Sequence, residues 1–87
     1  MNSIDDLQTR ANAAADALDG PDAAVAELAQ ENTSLAQTFA ALSQEHAAQI
    51  LSDADSLLAT IREHLAKART ALEEYVAACE QAKGGAG

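Results

Sequence analysis

The sequence predicts an all-α fold: an antiparallel helical hairpin with its first arm bent or broken at Gly20-Pro21, giving three helical segments that pack as a dimeric bundle. Three observations carry this. Large apolar residues recur at spacings of three and four along most of the chain, the pattern of a helical seam. Alanine, the strongest helix former, supplies 23 of 87 residues, against one Pro, one Phe, one Tyr and no Trp. The sevenfold rhythm slips once, between Leu42 and Ile50, and a chain that doubles back changes phase in this way.

The first helix is expected over residues 3–18. Ser3 is placed to cap it, and Asp5 and Asp6 complement the positive end of the helix dipole. Ile4, Leu7, Ala11, Ala14 and Leu18 form its seam. Asp19-Gly20-Pro21-Asp22 is the strongest punctuation in the chain. Gly20 suits a left-handed cap, and Pro21 suits the first turn of a new helix. The second helix is expected over 21–43, with Val25, Leu28, Asn32, Leu35, Phe39 and Leu42 at seam positions. Ile4, Ala11, Leu18, Val25, Asn32 and Phe39 are separated by multiples of seven, so the phase is retained across Gly20-Pro21. A retained phase predicts a bend there rather than a reversal.

The reversal is expected within 43–48. Thr33-Ser34 is the competing site, because Ser34 with Gln37 fits a capping box. A third helix over 47–82 carries a new register: Leu51, Leu58, Leu65, Leu72 and Cys79, alternating with Ala54, Ile61, Ala68, Tyr75 and Ala82. Ile50, Leu57 and Val76 widen this stripe beyond what one neighbour covers. Two arrangements satisfy it: a three-helix bundle within one chain, or two hairpins paired as a four-helix bundle. Residues 1–82 read as a single helical domain, and Lys83-Gly84-Gly85-Ala86-Gly87 as a helix stop followed by a flexible tail.

Composition excludes several functions. The net charge of −9 argues against phosphate backbones and anionic membranes. Two aromatics cannot build base-stacking platforms, and no apolar run reaches the roughly 18 residues of a membrane span. The acidic start MNSIDDLQTR, with no apolar stretch behind it, is unlike a signal peptide and predicts a cytoplasmic protein. The charge is unevenly divided. Residues 1–55 hold ten acids and one base, Arg10, whereas residues 56–87 are balanced. Arg62, Lys67 and Arg69 either face the acidic arm or belong to a solvated surface.

Residues able to carry chemistry are few. Asn32, at a seam position, either fixes register and oligomeric state or marks a frayed, exposed segment. His46 and His64 lie 18 residues apart and lack partners at helical metal-site spacing, so no metal is expected. Cys79, the one cysteine, reads as a small buried hydrophobe, with a symmetric intermolecular disulfide as the functional alternative. Asp53-Asp55 and Glu73-Glu74 read as helix surface. No nucleophile–base set or phosphate loop is present in the pattern, which predicts a protein that is not an enzyme and needs no cofactor.

Asp55-Ser56-Leu57 resembles the D-S-L motif of acyl carrier proteins. That resemblance implies phosphopantetheine on Ser56, although the long loop that precedes the serine in that family is absent here. In outline the whole chain resembles the small helical-hairpin proteins of type VII (Esx) secretion and related toxin systems. Two hairpins pair in that family, which implies a dimeric, secretion- or toxin-associated partner exported without a signal peptide. Its W-x-G turn is absent, and Cys79 stands where its Y-x-x-x-D/E signal, started at Tyr75, would place an acid.

The expected function is therefore a helical protein–protein interaction module that pairs with itself or another helical protein. Ile4, Leu7, Leu18, Val25, Leu28, Leu35, Phe39 and Leu42 of the first arm form its core or interface. Ile50, Leu51, Leu58, Ile61, Leu65, Leu72, Tyr75 and Cys79 do so on the second. An acidic inhibitor or antitoxin seated on a basic protein is the other binding reading.

Overall fold

The computed structural model describes residues 3–86. They form three helices, α1 (Ile4–Ala17), α2 (Asp19–Ala41) and α3 (Glu45–Ala86), with no strand among the described residues. Ser3 caps α1 from extended backbone, its hydroxyl accepting from the Asp6 N–H at 3.2 Å.

The joint between α1 and α2 falls at Leu18, two residues before Gly20-Pro21. Leu18 stays in the right-handed helical region, and its carbonyl accepts from the Asp22 N–H at 3.1 Å. The chain bends here and continues. Gly20 does not take the expected left-handed cap; it lies inside the first turn of α2 with no positive φ. The physical reason is the proline that follows. Pro21 offers no N–H to the Ala17 carbonyl, which breaks one rung of the ladder, and it crowds a helical residue before it. A residue without Cβ tolerates that crowding, so Gly20 eases the bend.

The reversal occupies Leu42, Ser43 and Gln44, at the near edge of the expected segment and not at Thr33-Ser34, which lie within α2. Its hydrogen bonds are those of a Schellman cap: Gln44 N–H to the Phe39 carbonyl (2.8 Å) and Ser43 N–H to the Ala40 carbonyl (3.1 Å). Ser43 sits at the left-handed position usually given to glycine, with φ 61°. A serine there leaves no glycine in the sequence to mark the turn.

α1 and α2 both pack on α3 and touch each other only at their joint, so the first arm is one bent rod rather than two helices of a three-helix bundle. The molecule measures 68 × 17 × 13 Å, the section of two adjacent helices. The expected stop at Lys83-Gly84 is not observed. α3 continues through both residues to Ala86, and Lys83 is held by ion pairs to Asp5 of α1 and Glu80 of α3. Those contacts tie Lys83 itself to the first arm. Gly87 lies outside the described residues. Among the described residues no helix is long and apolar enough to cross a membrane.

Replacing Ser43 by glycine removes the left-handed penalty of a Cβ, roughly 1 kcal/mol. Ser43→Gly is therefore expected to raise the urea midpoint of unfolding, and an unchanged or lower midpoint would contradict the observed cap.

Candidate protein-interaction surface

The two arms share one heptad geometry. With Ile4 and Leu51 both taken as position a, the residues turned toward the other arm are those at a and e. On the first arm Ile4, Leu18, Val25 and Phe39 (all a) are half-buried, and Ala11 (a) and Ala15 (e) are buried. On α3, Leu51, Leu58, Leu65 and Leu72 are half-buried and Cys79 is buried, all at position a. The sequence suggested an a/d seam. The hairpin instead zips along a and e, and position d is left outside it.

Polar contacts at the zip fix its register. Asn32 at an a position donates to the Leu51 carbonyl (2.8 Å) and to Asp55 Oδ1 (2.9 Å), and Thr33 donates to Asp55 Oδ2 (2.9 Å). Asn32 is thus half-buried and spans the two arms, which fits the register-setting reading. Arg62 makes a forked pair with Asp22 at 3.0 and 3.2 Å, and Arg69 pairs with Asp19. Lys83 Nζ lies 2.7 Å from Asp5 Oδ1. Gln8 donates to the Val76 carbonyl (3.2 Å) and to Glu80 Oε2 (2.9 Å). From Asp5–Lys83 through Gln8–Glu80 and Asp19–Arg69 to Thr33–Asp55, each step forward along the first arm matches an equal step back along α3, so no slip occurs between Asp5 and Asp55. Of the three cations read as facing either the acidic arm or solvent, Arg62 and Arg69 face the arm. Lys67 pairs with Glu63 on its own helix. Lys83 is an addition; it continues the e-position series of Arg62 and Arg69 by heptads.

These pairs shift titration in the direction of their partners. The Arg62 hydrogen bond holds the Asp22 carboxyl below its usual 3.8, and Asp22 raises Arg62 in turn. Hydrogen bonds from Gln8 and then Lys83 lower Glu80, and hydrogen bonds to Asp5 and Glu80 raise Lys83.

All these inter-arm polar contacts use b and e positions, with a contributing through Asn32. That places them on one side of the hairpin. Because both helices are right-handed and run in opposite directions, positions d and g of both arms emerge together on the other side. This second face differs sharply in chemistry. Eight large apolar side chains are exposed among the described residues, at 42% to 67%: Leu7, Leu28, Leu35, Leu42, Ile50, Leu57, Ile61 and Tyr75. All eight occupy d or g. Of the nineteen charged residues in the chain, only Arg10 and Glu31 do.

The hairpin buries little. Ala11, Ala15 and Cys79 are the buried apolar residues among those described, and no large side chain is fully enclosed. The surface totals 6176 Å², against roughly 4,900 Å² for a compact monomer of 9.0 kDa. The excess, about 1,300 Å², is larger than the roughly 800 Å² that each protein gives to a standard interface.

Other candidate residues lie apart from this arrangement. His46 and His64 are exposed, and among the described residues no three His, Cys, Asp or Glu side chains gather to hold a metal ion. Ser56 is exposed in the interior of α3, not at a helix start, and its carbonyl accepts from the Thr60 hydroxyl at 2.9 Å. The neighbouring Asp55 is engaged by Asn32 and Thr33.

The Asp22–Arg62 bridge carries a pH prediction. A carboxyl whose pKa falls on folding contributes stability above its unfolded value, and loses it as pH drops through the folded value. Asp22→Asn is expected to lower the urea midpoint at pH 7, and the gap to the wild type should close as the medium is taken below 3.8. A gap that stays constant with pH would show that the charge plays no part.

No family model matches the chain, and no similar curated protein or solved structure was found.

Proposed function

We propose that this protein is a non-enzymatic docking module which binds a protein partner, a second copy or another helical chain, through the d/g face of its hairpin. The observation that supports this is the sorting of side chains. All eight exposed large hydrophobics lie on that face, and seventeen of nineteen charges lie elsewhere. Scattered exposed leucines need no explanation, but a continuous charge-poor row along the full rod does. Water against that row is unfavourable at roughly 25 cal/mol per Å² of apolar area. A partner that lays an amphipathic helix or helix pair along the row removes that cost.

Non-enzymatic action is part of the same proposal. The shallow grooves along the b/e side are bordered by ion-paired or helix-surface side chains, and the pattern gives no nucleophile–base set. The outline likeness to type VII hairpins makes a secretion- or toxin-associated helical protein the first foreign partner to try.

The test is site-specific photo-crosslinking in cells that make the protein. Benzoylphenylalanine placed at Leu35, on the d/g face, is expected to give a discrete covalent adduct. The same group at Asp16, on the opposite surface, is expected to give none. Adducts from Asp16 alone, lost as salt is raised in extracts, would favour an acidic inhibitor seated on a basic protein and overturn the proposal. Absence of adducts from both positions would overturn it as well.

A further inference from the structure

We infer that the occupant of the d/g face is a second copy of this chain, laid antiparallel across it about a two-fold axis at Gly20-Pro21. The inference rests on reading that face as a docking surface; it adds the identity of the partner and its orientation.

The two charges on the face carry the argument. Arg10 and Glu31 both occupy g positions of the first arm and have opposite signs. Arg10 lies ten residues before Gly20, and Glu31 lies ten residues after Pro21. A two-fold axis through the Gly20–Pro21 bond, perpendicular to the rod, exchanges the two levels. Each Arg10 then faces Glu31 of the other copy, and the contact is made twice. A patch that complements itself under rotation is what an isologous interface requires. The bond also lies close to the middle of the first arm (Ile4–Ala41), so this axis overlaps the two faces along nearly their whole length.

On the first arm this axis brings Leu28 level with Ala13 of the second copy, one residue from Ala14 on the d row, and Leu35 beside Leu7. On α3 it falls between residue 63, by the Asp22–Arg62 bridge, and residue 68, by the Asp19–Arg69 pair. Positions a and d of all four helices then turn inward. The e positions, with Asp22 and Arg62, lie between arms of one hairpin, and the g positions lie between hairpins.

Stacking the hairpins turn-over-turn, with each first arm on α3 of the other copy, does not fit. Arg10 would come level with residues 73–78 of α3 and Glu31 with 52–57, where the d and g positions hold the apolar Tyr75, Ala78, Ala54 and Leu57. The charge of −9 on each chain does not forbid pairing, since all but these two charges lie off the d and g rows, and Asp6, at the edge of the face, is paired with Arg10 at 3.6 Å.

The test is sedimentation equilibrium of the purified chain at low salt, with circular dichroism to verify helicity. The wild type is expected to be a dimer. Arg10→Glu and Glu31→Arg should each weaken dimerisation about tenfold, since each replaces two attractive contacts by repulsive ones, and the double exchange should restore it. As a second reading of orientation, Ala17→Cys and Ala24→Cys are combined in a Cys79→Ala chain. Oxidation should give a covalent dimer, because residues 17 and 24 meet across the axis. Within one chain they are about 10 Å apart, too far to bridge. A dimer indifferent to the charge exchange, with no 17–24 crosslink, overturns the antiparallel arrangement but leaves the face as a docking surface. A purified chain that stays monomeric overturns self-pairing, while a Leu35 adduct to a different protein would still uphold the docking reading.

Discussion

A helix that meets one neighbour can bury only one side of itself, and both arms of this hairpin carry apolar residues over more than one side. That constraint governs the rest. The arms settle on a and e, where the alanines of the first arm allow close approach and where Asp22, Arg62, Arg69 and Lys83 form a ladder of paired charges. With a and e engaged, d and g are left to solvent. The leucines of the d row therefore remain exposed although they follow the same heptad as the half-buried ones. The half-empty interior and the charge-poor face are one fact seen from two sides.

The register has two locks. Asn32 reaches across the seam to a backbone carbonyl and to Asp55, and a slip by one turn would leave its amide without these partners in a partly apolar setting. The salt bridges add direction more than stability, since all are solvent-exposed and such pairs contribute about 0–1 kcal/mol each. Acidic residues crowd the first arm and the facing bases lie on α3, so the antiparallel pairing is also the one in which the charges fit.

Much of this was legible in the residues. The seven-residue spacing from Ile4 to Phe39 pointed to a bend rather than a reversal at Gly20-Pro21, and the chain bends there. The change of phase after Leu42 located the reversal to within a residue or two. Three features were not legible. The turn is closed by Ser43 in a conformation that sequence signals reserve for glycine, so nothing announced it. The continuation of α3 past Lys83 was hidden by the two glycines that follow, and the Lys83–Asp5 pair that ties this end to α1 is a tertiary contact no local propensity contains. The choice of a and e over a and d was hidden because both rows share position a. The available sign was the e row itself, in which Arg62, Arg69 and Lys83 stand at heptad intervals opposite an acidic arm.

We propose that the d/g face is covered by a second copy of the chain. Tyr75 is the one tyrosine of a chain without tryptophan, and it lies on that face, 44% exposed in the single hairpin. Its fluorescence reports directly on the claim. Acrylamide quenching measured over a dilution series should be weak in concentrated solution and rise as the assembly dissociates. Quenching that is equally strong at every concentration, with helicity unchanged, would mean that the face stays open in the purified chain and would contradict self-pairing.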